Sequence, residues 1–407
     1  MRQILIINQP FGNRGDESAH RAFVRTLNTN FPQSKITVLN LFDWNDAEKE
    51  FIVEHPNNTY INFIFPHNLS ANSFAKVSLQ LGIVKLVLFL HPILRRLIPY
   101  YKNADLVVCA PGGICMGGFQ NWQHLYMLYL AKCFRKPLIY YSRSFGPFPE
   151  DTWLNRRFKN IAENMLHYFS FLSIRDQKTM ELADRMNLMY TPSIDTAFLE
   201  QPCPLISTEL RHILGNKYIV FVPNSLTWHY GYKHLQQEVI DNFYLSIIDQ
   251  LHTYYPTHKI IMLPQLCSIK NNGDYYYFEK LKNKSPFTND IIVLSENYGS
   301  DIQQSIVRDS DFVIGARYHS IVFAINNNRP FIALSYEHKM EGLLSMLKLS
   351  NQQINIKDIF VNPDDIEVAL QQCQKLLHNT NPHNMNVTAT EIANNCFKHL
   401  KEHIKKL

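Results

Sequence analysis

Short apolar runs separated by helix-length amphipathic stretches constrain this chain most. Residues 4–7 (ILII), 36–39, 105–110 (DLVVCA), 137–141 and 171–174 are such runs, with helical stretches between them. Near-continuous apolar runs of this length suit strands buried on both faces, and their alternation with helices predicts βαβ units and a parallel sheet. The acids Asp16 and Glu17 predict a first helix running to about Asn28. The pattern breaks over residues 190–207, which hold Pro192, Pro202 and Pro204 and read as a linker. It resumes at 218–222 (YIVFV), 259–263, 291–294, 312–315 and 330–334. The expectation is an α/β protein with two Rossmann-like domains, residues 1–200 and 208–385, their parallel sheets facing across a cleft. An amphipathic, Lys-rich helix at 386–407 follows. Ligands of open parallel sheets bind at the carboxyl ends of the strands, and here also between the domains.

Composition excludes several classes. Of 407 residues, 46% are hydrophobic and 18% charged, enough apolar material for true cores and too much for a disordered chain. Forty Lys and Arg against 35 Asp and Glu give a net charge of +5, a weak footprint for a nucleic-acid binder. The seven cysteines are odd in number and form no CxxC pair, and no HExxH occurs, so neither a disulfide framework nor a zinc site is expected. The N-terminal apolar run is too short for a signal peptide. Together these point to a reducing, cytoplasmic setting. Residues 74–98 read as an apolar helical stretch. Lys85, His91, Pro92, Arg95 and Arg96 interrupt residues 81–98, so a membrane span is not expected. That segment reads either as a buried helix kinked at Pro92 or as a helix resting on a membrane surface, at the inner face.

Several loops fall just after strands. The first, 8–15 (NQPFGNRG), leads into Asp16. Asn13 and Asp16 there are candidates for a ligand-facing loop at a helix N-terminus, although GxGxxG and the P-loop Lys are both missing. The second, 110–118 (APGGICMGG), carries four of the chain's 14 glycines, and Gly112 and Gly113 would let a ligand approach the backbone closely. Arg143 in YSRSFGPF and Arg175 in SIRD sit near strand ends, where an Arg can grip a carboxylate or phosphate. Trp228, His229 and Tyr230 form an aromatic loop suited to stacking on sugar faces, or to plain packing.

The strongest constellation is DFVIGARYHS. It runs from a strand into a helix and presents Arg317 and His319. The next strand ends in SYEHK, which brings Lys339 to the same rim. His is the usual general acid or base near neutral pH, and Arg with Lys suits an anionic substrate. The DxD at 309–311 sits where a strand begins, the wrong end of a parallel sheet for a ligand.

GARYHSIVFAINNNRPFIALSYEHKMEGLL is similar to the C-terminal signature of the polysaccharide pyruvyl transferases. NQPFGNRGDES resembles that family's N-x-G-D loop, APGGICMGG its Gly-rich loop, and SRSFGPF with SIRD its middle segment. The resemblance covers about residues 3–347. It departs from the family at Tyr-Ser-Arg before S-F-G-P, and at Ile114 in place of a third glycine. The resemblance implies a GT-B-like fold, with phosphoenolpyruvate as donor and its site in the C-terminal domain. A pair of sugar hydroxyls on a glycan or lipid-linked oligosaccharide would accept. The product is a pyruvate ketal, with no cofactor beyond the donor substrate. It implies that His319 is catalytic and that Arg317, Lys339, Arg175 and Arg143 bind the donor, with Arg143 and Arg175 as rivals. Two other readings stand beside it. One is a GT-B-like glycosyltransferase using a nucleotide sugar. The other is a non-catalytic glycan-binding or scaffold protein on a membrane surface.

Overall fold

The computed structural model describes residues 2–10, 12–41, 51–63, 69–118, 120–229, 231–267, 273–296, 298–379 and 384–407. It divides into two compact units. The first comprises Met1–Phe11, Ala19–Leu199 and Glu391–Leu407; the second comprises Gly12–Ser18 and Glu200–Thr390.

The first unit is built on seven strands: β1 (Gln3–Ile7), β2 (Lys35–Asn40), β3 (Asn58–Asn62), β4 (Leu106–Cys109), β5 (Leu138–Arg143), β6 (Phe171–Ile174) and β7 (Thr191–Pro192). All pair in parallel, in the order β3-β2-β1-β4-β5-β6-β7. The second unit holds β8 (Tyr218–Val222), β9 (Lys259–Met262), β10 (Ile291–Val293), β11 (Phe312–Gly315), β12 (Phe331–Ser335) and β13 (Gln353–Asn355). These are again all parallel, in the order β10-β9-β8-β11-β12-β13. Both sheets are doubly wound, so each has a switch point where strand order reverses: β1/β4 in the first and β8/β11 in the second.

Central strands are buried along their whole length, as YIVFV in β8 and LVVC in β4 show. Side-chain caps start several helices. Thr152 accepts from the Asn155 amide, Asp176 from Thr179 and Ser207 from Leu210, each supplying an acceptor to an otherwise orphaned N–H.

Three sequence expectations need correction. The stretch 190–207 is not all linker. β7 pairs with β6, and Thr196–Leu199 forms a 3-10 turn inside the first unit. The C-terminal helix does not stand apart, because Cys396, Phe397, Leu400 and Ile404 pack into the core around β1 and β2. The stretch 74–98 is not one kinked helix. Its region forms helices Leu69–Leu81, Val84–Leu90, Pro92–Arg95 and Ile98–Asn103, because Gly82 adopts a positive φ of 74° and Pro92 and Pro99 cannot continue a helix from before them. Among the described residues no helix is long and apolar enough to cross a membrane. None of the seven cysteines is in a disulfide.

Candidate active site

The second unit gathers its candidate side chains at the carboxyl ends of β8, β9, β11 and β12. β11 turns sharply into the helix Tyr318–Asn326. A Cβ on Gly315 would lie 1.9 Å from Ser320 Oγ, so only glycine permits that turn. Ser320 Oγ donates to the Arg317 carbonyl at 2.5 Å and locks it. Arg317 is the residue before the helix and His319 lies in its first turn, where unpaired backbone N–H groups favour negative charge.

Arg317 is buried and makes a two-pronged pair with Asp274, its Nε 3.2 Å from Oδ2 and its Nη2 bonded to Oδ1. Asp274 Oδ2 also accepts from the amides of Gln265 (3.1 Å) and Leu266 (2.9 Å), which fixes the loop after β9. Burial works against the Arg317 charge, but the Asp274 carboxylate outweighs it and holds the pKa above the usual arginine value. The guanidinium lies 5.8 Å from the Trp228 ring, and Trp228 Nε1 donates to Asn224 Oδ1 at 2.8 Å. Asp274 occupies Nε and Nη2, which leaves Nη1 outside the pair. Removing one partner of a buried ion pair strands the other charge. Asp274→Ala is therefore expected to cost about 3–5 kcal/mol of stability, read as a lowered urea midpoint.

β12 delivers the second cation. Lys339 Nζ sits 2.9 Å from Glu337 Oε2 and 5.8 Å from the Tyr318 ring. His229 Nε2 lies 3.2 Å from Glu337 Oε1, while its Nδ1 accepts from the Gly231 amide at 3.2 Å. Nε2 therefore carries the proton facing Glu337. Burial pushes the Glu337 pKa up, but Lys339 and His229 together pull it well below the usual carboxylate range. A depressed folded-state pKa stabilises above the unfolded value of about 4.3 and is lost as pH falls through the folded one. Glu337→Gln is thus expected to flatten the acid limb of a melting-temperature profile below about pH 4.3.

The loop after β1 belongs, by its contacts, to this second unit. Asn13 forms an antiparallel bridge with Leu266, the Arg14 amide donates to Gln265 O (2.8 Å), and the Cys267 amide donates to Gly12 O (2.8 Å). Asn13 Oδ1 caps the following helix by accepting from the amides of Gly15 (2.9 Å) and Asp16 (3.4 Å). Arg14 and Glu17 form a buried ion pair at 2.5 Å, and Glu17 Oε1 accepts from the Ser300 amide. This stitching lays Gly15 directly on His319. A Cβ at Gly15 would sit 1.8 Å from the His319 Cγ.

The first unit uses its candidate arginines internally. Ser142 has a φ of 47° at a register irregularity between β5 and β6, and Arg143 turns inward there. Arg143 is fully buried and donates to the carbonyls of Ala110 (2.6 Å) and Gly113 (3.0 Å) and to Cys115 Sγ (3.2 Å). It thereby holds the Gly-rich loop from beneath. Arg175 is buried against Asp195, with Nε 3.4 Å from Ser144 Oγ. Both were expected to grip an anion; both are instead engaged by protein acceptors of the first unit. Gly112 has a φ of 155°, and its added Cβ would come within 3.1 Å of Pro10, so its glycine is needed for packing. Gly113 faces open space.

The second unit thus brings together Arg317, His319, Lys339, Trp228 and His229, with Asn13 and the first turn of the helix Arg14–Asn30. Asp16 is half-buried. Trp228 is 45% exposed, whereas His229 is buried rather than displayed to solvent. Tyr230 lies outside the described residues. Sequence reasoning missed Asp274, which no local motif marks, and missed Glu337 as the anchor of Lys339.

The family model for polysaccharide pyruvyl transferase matches residues 13–338, which takes in Asn13, Asp16, Arg317 and His319 and stops one position before Lys339. The amylovoran biosynthesis protein AmsJ of Erwinia amylovora is 22% identical over 400 residues, covering 88% of this chain and 89% of that protein. Among solved structures, the UDP-GlcNAc 2-epimerase of Neisseria meningitidis bound to UDP-GlcNAc superposes with a TM-score of 0.60 at 10% identity. Anabaena HepE in complex with UDP and glucose superposes with a TM-score of 0.59 at 13% identity. Each covers 100% of both chains, and the likeness is one of fold, GT-B-like. With four-fifths of its length inside the family match, the chain belongs to the polysaccharide pyruvyl transferase family.

Proposed function

We propose that this transferase takes the pyruvyl group of phosphoenolpyruvate and closes it as a ketal on two hydroxyls of a glycan, in the cytoplasm, releasing phosphate. The observation that carries the reading is the delivery of Arg317, His319 and Lys339 to one rim by two adjacent strands. The donor has a carboxylate and a phosphate, and two fixed cations suit them. Lys339 would exchange Glu337 for a donor oxygen, and Arg317 would offer Nη1 while Asp274 keeps its plane fixed. His319 gives a proton to the methylene carbon, which makes the neighbouring carbon electrophilic, and is reprotonated by the attacking hydroxyl. The new C–O bond forms at that carbon. Phosphate then leaves with its bridging oxygen, and the second hydroxyl closes the ring as its proton passes to phosphate. The scheme uses no cofactor beyond the donor.

The UDP ligands of the structural neighbours favour one rival, a glycosyltransferase drawing on a nucleotide sugar. A thermal shift separates the two. Phosphoenolpyruvate is expected to raise the melting temperature in the wild type and not in Arg317→Ala, with UDP- and GDP-sugars inert. Stabilisation by a nucleotide sugar alone would replace the reading with its rival.

A further inference from the structure

The helices between β3 and β4 leave an apolar face uncovered. Among the described residues, the large apolar side chains that stand exposed include Phe74, Val77, Leu81, Ile83, Leu86, Phe89 and Leu90, all within one short stretch. Leu81, Leu86 and Leu90 are 65%, 57% and 71% exposed. The same helices are anchored from their other side: Ala75, Leu79, Val84, Leu88 and Leu94 are buried, and Arg157 Nη2 donates to the Gln80 carbonyl at 2.8 Å. A soluble domain rarely shows so dense an apolar patch without a partner for it.

Charge identifies the partner. From His55 to Ala104 the sequence contains no Asp or Glu, while Lys76, Lys85, Arg95, Arg96 and Lys102 are all cationic. Lys85, Arg95 and Arg96 are exposed alongside the apolar residues. Two-fold pairing of this face with a second copy would set cations against cations. An anionic lipid surface satisfies both halves of the pattern, taking the apolar side chains among its acyl chains and the cations among its headgroups. We propose that the helices Leu69–Leu81, Val84–Leu90 and Pro92–Arg95 dock the protein peripherally on an anionic membrane. The docking is independent of the donor chemistry.

Vesicle flotation without any substrate tests this. The full chain should float with phosphatidylethanolamine–phosphatidylglycerol vesicles, and about tenfold or more weakly with phosphatidylcholine alone or in high salt. Leu86→Glu/Phe89→Glu/Leu90→Glu and, separately, Lys85→Glu/Arg95→Glu/Arg96→Glu should each abolish flotation while keeping the wild-type melting temperature, since all six side chains are exposed. Failure of the wild type to float with anionic vesicles, or retained flotation in both folded variants, overturns the proposal. So does sedimentation showing a dimer that the same leucine and phenylalanine substitutions dissolve.

Discussion

His319→Ala should lower pyruvyl transfer by about 100- to 10,000-fold while leaving the protein folded, the loss typical of removing a proton-transfer group. The steady-state rate, measured together with a circular-dichroism melt, checks both halves. The position of His319 supports a chemical role over a packing one. It lies in the first turn of the helix that follows the tight turn at Gly315, two residues after Arg317, with its ring 5.0 Å from that of Tyr318, which faces Lys339. Unchanged turnover in a folded variant would show that another group moves the proton.

The second large effect is expected from a residue that carries no functional group. Gly15→Ala would place a methyl group 1.8 Å from the His319 Cγ. One of the two must yield. The glycine cannot move easily, because it sits in the first turn of the helix Arg14–Asn30 and the amides of Arg14 and Cys267 stitch the chain just before it to residues 265–267. The imidazole is therefore expected to rotate away, and displacement on that scale costs about 100-fold in turnover. Arg317 and Lys339 are untouched, so kcat should fall far more than the donor KM rises. The double variant Gly15→Ala/His319→Ala should be scarcely slower than His319→Ala alone, because the second change removes what the first disturbs. Additive losses would mean that Gly15 acts elsewhere.

Much of the fold was legible because buried parallel strands leave apolar runs that survive in the sequence. β1, β4, β8, β11 and β12 all announce themselves in this way. The strands that escaped are edges. β3 reads NTYIN, β7 only two residues and β13 QIN, since an edge strand has one exposed flank and no need of continuous apolar side chains. Strand ends likewise put Arg317 and His319 just past β11 and Lys339 just past β12, where the structure has them. They also suggested Arg143 and Arg175, and there position along the strand was not enough. A backbone irregularity at Ser142 turns Arg143 beneath its own loop, and Asp195 takes Arg175, so direction was decided by contacts the local sequence does not display. Asp274 was hidden for the same reason, lying 43 residues before the arginine it holds. The contact of Gly15 was hidden likewise, because the His319 ring it touches comes from the other half of the chain.

The most direct test of the central claim couples donor to product. The protein would be incubated with phosphoenolpyruvate and glycan intermediates extracted from its own source cells. Inorganic phosphate and pyruvyl ketal on the glycan would be followed together, with and without a chelator. Acceptor-dependent phosphate release matched one-to-one by ketal formation, insensitive to the chelator and lost in His319→Ala, is the predicted result. A glycan that gains a sugar from an added nucleotide sugar while phosphoenolpyruvate stays intact would contradict it.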